Sequence, residues 1–134
     1  MTDKKHSKPR KQFRLAARKF FLTYPRTNLA PQAVLDQLDA IFLDKTPTIE
    51  RYIITSEKHE TQPDKGHHIH VYLKLSKKLY TKQPTFYDLT EDGKPVHGNY
   101  QGCRSPRDTM DYITKDVFDY TNRNQIVLDK QTAQ

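Results

Sequence analysis

His67-His68-Ile69-His70-Val71-Tyr72-Leu73-Lys74-Leu75 is the stretch whose reading decides the fold. Ile69, Val71, Leu73 and Leu75 fall at every second position, and His68, His70, Tyr72 and Lys74 fill the positions between. A period of two belongs to a β-strand, whose successive side chains point to opposite faces. One face is therefore apolar enough for a core and the other polar. Upstream, Arg51-Tyr52-Ile53-Ile54-Thr55-Ser56-Glu57 is rich in β-branched and aromatic residues and reads as a partner strand. Between the two, Thr61-Gln62-Pro63-Asp64-Lys65-Gly66 is a turn by composition. The pair reads as a hairpin with a long loop.

Further out, Lys19-Phe20-Phe21-Leu22-Thr23-Tyr24 reads as a first strand that Pro25 ends. Asn28 is placed to cap a helix that Pro31 opens, with Ala33, Val34, Leu38, Ile41 and Phe42 at helical spacing and Thr46-Pro47 as its end. Phe86-Tyr87-Asp88-Leu89 reads as a short fourth strand, Glu91 to Pro95 as a turn and His97 to Gln101 as a fifth strand. Ser105 could cap a second helix from Pro106, with Met110, Ile113 and Val117 on its apolar side, and Ile126-Val127-Leu128 could dock back. This order points to an α+β class, a ferredoxin-like or RRM-like sandwich with a central antiparallel sheet of about five strands and flanking helices. The expected organisation is a basic disordered leader over 1–12, one domain over 13–120, and a C-terminal tail or linker start over 121–134.

The 134 residues suit one domain. A single cysteine, Cys103, excludes a disulfide framework, a cysteine-based zinc finger and an iron–sulfur cluster, and suits a reducing compartment. No apolar run approaches the ~20 residues of a membrane span, and no apolar segment follows the basic N-terminus as in a signal peptide. None of the four glycines builds a phosphate-binding GxxxxGK[ST] loop. The net charge of +7 resides in residues 1–19, where eight Lys and Arg face Asp3 alone; the remaining basic and acidic residues balance. A basic leader attracts polyanions and can serve as an import signal, but says little of the folded body.

Two local patterns carry chemistry. His68 and His70, two apart on a strand, share a face and can share one metal ion, with Glu57 on the neighbouring strand as third ligand. Read blandly, the pair is a solvated polar face. In Tyr112-Ile113-Thr114-Lys115-Asp116, Tyr112, Lys115 and Asp116 stand at i, i+3 and i+4 and share a helix face. A tyrosine there can attack phosphorus if a lysine or metal favours its phenolate, although a helical tyrosine usually just packs.

Together, Phe21-Leu22-Thr23-Tyr24-Pro25, His68-Ile69-His70 and Tyr112-Ile113-Thr114-Lys115-Asp116 resemble motifs I, II and III of the HUH replication initiators (Rep) of small circular single-stranded DNA viruses. The resemblance is to the geminivirus and genomovirus branch. Ser56-Glu57-Lys58-His59-Glu60 is similar to that branch's Arg-Glu-Leu-His-Glu stretch. Thr85-Phe86-Tyr87-Asp88-Leu89 with His97-Gly98-Asn99-Tyr100-Gln101-Gly102 resembles its extra conserved segment. The matches span roughly residues 13 to 118.

The resemblance implies an HUH endonuclease domain and strand transferase that starts rolling-circle replication through a covalent 5′-phosphotyrosine. It makes Tyr112 the nucleophile and Lys115 its charge-stabilising neighbour. Glu57, His68 and His70 become ligands of Mg or Mn, and Asp116 a possible metal or accessory residue. Thr23, Tyr24, Asn99, Arg104 and Arg107 become DNA contacts. The implied partner is single-stranded origin DNA presented in a hairpin loop, with no membrane. The implied location is the host nucleus. The isolated domain is expected to be a monomer and the full-length protein an oligomer. Reps of this kind continue into an oligomerisation region and a helicase domain, so the chain is expected to be an excised nuclease domain or a shortened gene product.

Three departures from the family pattern concern loops rather than chemistry: the stretch from Glu60 to His68 is longer than usual, His67 stands where proline is common, and Gly98 replaces a usual proline. The rival reading is a non-catalytic RRM-like module that binds single-stranded nucleic acid through aromatics and needs no metal.

Overall fold

The computed structural model describes residues 12–58, 66–103 and 128–129. Its central sheet contains β1 (Leu15–Thr27), β2 (Ile49–Lys58), β3 (His67–Thr81), β6 (Asn99–Gly102) and β7 (Leu128–Asp129). The spatial order is β6-β1-β3-β2-β7, and each neighbouring pair is antiparallel. A separate two-stranded ribbon joins β4 (Leu89–Glu91) to β5 (Lys94–Val96). Helix α1 (Pro31–Ile41) links β1 to β2, while β3 inserts between those strands. This is the split β-α-β arrangement of ferredoxin-like folds, and the α+β class follows. The fifth strand of the sheet comes from the stretch after residue 120. The second expected helix lies outside the described residues.

The alternation of β3 sets the layers. Ile69, Val71, Leu73 and Leu75 are fully buried, as are Phe20, Leu22 and Tyr24 of β1 and Ile54 of β2. Val34, Leu35 and Leu38 of α1 pack on that face with Tyr87 and Leu89. Burying each large aliphatic chain contributes about 1.5–3 kcal/mol, so the core face fixes register: a one-residue slip of β3 would exchange four aliphatic side chains for His68, His70, Tyr72 and Lys74.

Several boundaries differ from the sequence reading. β1 continues through Pro25 to Thr27, because the ladder is irregular between Tyr24 and Thr27 and no regular pair asks Pro25 for an N–H. The helix cap is Ala30, in extended conformation with no side-chain cap, rather than Asn28. Pro31 forces its predecessor out of helical geometry. The Asn28 N–H instead donates to Glu91 at 3.1 Å, and Thr27 Oγ1 donates to the same carboxylate at 2.7 Å. Phe86 and Tyr87 form a turn rather than a strand, closed by Phe86 N–H to Gln83 O and Asp88 N–H to Thr85 O. The Gln37 side chain of α1 bonds both backbone groups of Thr90, at 2.9 and 2.8 Å, and covers the edge of β4.

Candidate active site

The sheet face opposite α1 carries the residues of interest in rows. Directly paired residues of antiparallel strands share a face, with Cβ atoms about 4.5–5.5 Å apart. One row runs across four strands: Asn99 of β6, Thr23 of β1, His70 of β3 and Thr55 of β2. Beside it, Glu57 pairs with His68. On the other side lie Gln101, Phe21, Tyr72 and Ile53, and beyond them Lys19, Lys74 and Arg51. The backbone thus sets Glu57, His68 and His70 at adjoining positions of one face.

The imidazoles of His68 and His70 lie side by side, centroids 6.1 Å apart and planes within 10°. Phe21 stacks on the other side of His70 at 5.7 Å and 7°. In the next row of the same face, Ile53 and Tyr72 are buried and pack with Phe21 and Cys103 as a small second apolar cluster. Burial, chiefly, pushes the Tyr72 phenol above its ordinary pKa, with Cys103 adding to the shift and Arg51 and Arg18 opposing it. The histidines therefore stand beside an apolar row, which touches His70 through Phe21.

Among the described residues, no three His, Cys, Asp or Glu side chains gather closely enough, as they stand, to hold a metal ion. The donor set nonetheless fits one. Two neutral imidazoles and a carboxylate suit a borderline divalent cation and leave positions for phosphate oxygens. Thr55 Oγ1, opposite His70, is buried and has no hydrogen-bond partner among the described residues. A buried hydroxyl left so costs about 1–3 kcal/mol, as expected of a site completed by a ligand and its ordered shell.

Thr23 and exposed Asn99 lie in the row with His70. Tyr24 departs from its expected role as a DNA contact. Its side chain is fully buried on the α1 face, and its hydroxyl donates to Tyr87 O at 2.6 Å. Strand parity is the reason: Tyr24 points with Phe20 and Leu22 into the core. His67 also faces away from the pair, 3.1 Å through Nδ1 from Ser56 Oγ. Tyr112, Lys115, Asp116, Arg104 and Arg107 lie outside the described residues.

Sequence reasoning missed two supports of this face. Phe21, one of a run of aromatic and apolar residues on β1, stands on the histidine side. The second is a cluster around Asp88. Tyr100 O–H donates to Asp88 Oδ1 at 2.7 Å, Gly98 N–H donates to Tyr100 Oη at 2.9 Å, and His97 Nδ1 lies 2.6 Å from the same carboxylate oxygen. Tyr24, Tyr87 and Tyr100 pack edge-on within this cluster. Burial, first of all, drives their phenols well above the ordinary tyrosine pKa, and the bond to Asp88 adds to the shift of Tyr100. The cluster anchors β6 and so holds Asn99 beside Thr23. The only signal was the paired segments 85–89 and 97–102, which show no periodicity.

Residues 13–129 match the family described as the geminivirus Rep catalytic domain. The chain is 32% identical over 112 residues to Replication-associated protein A of Miscanthus streak virus (isolate 91), a match covering 84% of this chain and 48% of that protein. A second match, to the Replication-associated protein of the same virus, has 32% identity over 112 residues and covers 84% and 30%. The chain thus spans about half the length, or less, of these curated relatives. It belongs to the geminivirus Rep catalytic-domain family. Membership makes it a catalytic domain of the Rep class.

Proposed function

We propose that this domain nicks and rejoins single-stranded origin DNA through a covalent 5′-phosphotyrosine, with a divalent metal held by Glu57, His68 and His70. One observation carries the reading: in a member of this family, Glu57 pairs with His68 and shares a sheet face with His70. The bound cation, Mg or Mn, would supply Lewis-acid charge to a phosphate oxygen.

The chain's own groups do the rest. Thr23 and Asn99 engage the unpaired strand beside His70, with Arg104 and Arg107 on its backbone. The Tyr112 phenol oxygen attacks phosphorus, and the bond from phosphorus to the 3′-oxygen breaks. The phenol proton leaves by way of Lys115, and the departing oxygen takes one up as a 3′-hydroxyl. Asp116 is assigned an accessory role beside them. The diester is conserved in the tyrosine linkage, so attack by a 3′-hydroxyl reverses the step and rejoins a strand without ATP. In a longer initiator this chemistry starts rolling-circle replication, and the basic leader would direct the protein to the host nucleus.

The test is a denaturing gel. The domain is incubated with manganese and a partly randomised single-stranded library carrying a hairpin-loop origin mimic, then heated in detergent. A slower protein band, abolished by chelator and by Tyr112→Phe, is expected, and sequencing its DNA identifies the cut site. DNA binding that is indifferent to chelator, with no such band from an origin that a related Rep cleaves, would leave the binding-module reading.

A further inference from the structure

We propose that the outer end of the β1–β3 ribbon is a second contact for unpaired DNA, with Tyr80 stacking on a base and Lys77 and Lys78 holding phosphates. The proposal rests on the single-strand reading above and extends its footprint well beyond the histidine pair.

Charge segregation is the first observation. β1 and β3, the two paired strands at the centre of the sheet, contain no Asp or Glu, while carrying Arg18, Lys19, Arg26, Lys74, Lys77 and Lys78. The balancing acids of the chain lie on other elements. Glu50 of β2 takes Arg18 at 3.1 Å and Lys74 at 3.4 Å. Among the described residues no carboxylate pairs with Lys77, Lys78 or the nearby Lys82.

Strand register supplies the second. Lys19 pairs with Lys74 and Ala17 with Leu79, so Arg18 alone faces the four residues from Leu75 to Lys78. This irregularity bulges β3 outward and leaves both lysines exposed. Past it, Leu15 pairs with Thr81 and both are buried, while Ala17 and Leu79 pack against the core. Tyr80, between Leu79 and Thr81, is therefore turned to the side away from the core. It is 53% exposed, and its cross-strand partner Ala16 offers only a methyl group to cover the ring.

An exposed aromatic ring next to unpaired lysines is the pairing that single-strand binders use, with stacking on any base and charge along the backbone. The duplex offers no free base face to the ring, so the geometry favours an unpaired strand. From Thr23, opposite His70, to Ala16, opposite Tyr80, is seven residues of β1, or about 23 Å at ~3.3 Å per residue. Only DNA flanking the cut site reaches that far.

Fluorescence anisotropy in a Tyr112→Phe background tests this without any chemistry, so failure of the nuclease reading leaves the result interpretable. Two single-stranded probes are compared: a short one centred on the cut site and one extended through both flanks. Tyr80→Ala should weaken the extended probe by roughly fivefold or more, with Tyr80→Phe near wild type and the short probe unaffected. The double variant Lys77→Gln/Lys78→Gln should lower the slope of log affinity against log salt for the extended probe by about 1.4, two phosphates at ~0.7 each. An unchanged affinity and slope would overturn the proposal. So would equal losses for both probes, or an equal Tyr80→Ala loss on a flush duplex. Should Tyr80→Ala lower thermal stability, the lysine pair and Tyr80→Phe still decide it.

Discussion

The ring of Phe21 lies flat beside that of His70, with centroids 5.7 Å apart and planes 7° apart. The contact crosses from β1 to β3 on the face that bears both histidines. It gives a residue that looks like ordinary core a part in orienting an imidazole. Groups that orient metal ligands typically control affinity by about 10–100-fold. Phe21→Ala is expected to weaken manganese binding by roughly tenfold, measured by titration calorimetry, while Phe21→Tyr stays near wild type. Wild-type affinity in Phe21→Ala would mean that the stack on Phe21 does not orient His70.

Glu57 tests the other side of the pair. Glu57→Gln keeps shape and hydrogen bonding but removes the carboxylate charge opposite His68. Manganese affinity and the nicking rate should fall together, each by about tenfold or more, with the thermal midpoint unchanged. A loss of nicking at full metal affinity would move Glu57 from ligand to proton handling.

Most of this face was legible because period two in His67–Leu75 has one solution: four aliphatics inward, two histidines outward. The helix at Pro31 was legible for the same kind of reason, since its apolar spacing and opening proline agree. Parity on β1 was harder. Phe20, Phe21, Leu22 and Tyr24 are all apolar or aromatic, so the pattern has no polar phase to show which set faces inward. Tyr24 was placed on the DNA side for that reason, whereas it points into the core. The Phe86–Tyr87 turn has strand composition, yet Tyr87 is buried, and Phe86 partly so, by packing on Phe42, Phe20 and Tyr100 rather than by pairing. Such contacts join residues far apart in sequence and leave no local signal.

Gly98 shows how tightly β6 is set. A Cβ there would collide with the Thr23 carbonyl oxygen and press on the Tyr24 ring. Its N–H also donates to Tyr100 Oη. Gly98→Ala should cost about 1–3 kcal/mol by overpacking, read by urea denaturation. It should also weaken single-strand binding, because β6 must shift Asn99 away from Thr23. A variant as stable as wild type would show that the 97–98 segment relaxes freely.

Three of the buried tyrosines, Tyr24, Tyr87 and Tyr100, make the fold sensitive to alkali. Unfolded tyrosine ionises near pH 10, and the phenols of Tyr24, Tyr87 and Tyr100 are held well above that, mainly by burial. Below pH ~10 all three are neutral in both states and no stability is lost. Above it the unfolded chain releases protons that the folded chain keeps, so stability falls by about 1.4 kcal/mol per pH unit for each phenol. Substitution separates them by their hydroxyls. Tyr24 O–H donates to Tyr87 O, so Tyr24→Phe should cost about 1 kcal/mol at neutral pH while shallowing the alkaline fall by one phenol's share. The Tyr87 hydroxyl is buried with no hydrogen-bond partner among the described residues. Tyr87→Phe should therefore hold or raise neutral stability and shallow the alkaline fall equally. Urea midpoints from pH 7 to 11 check both, and a Tyr87→Phe that loses stability at neutral pH would reveal a partner for that hydroxyl.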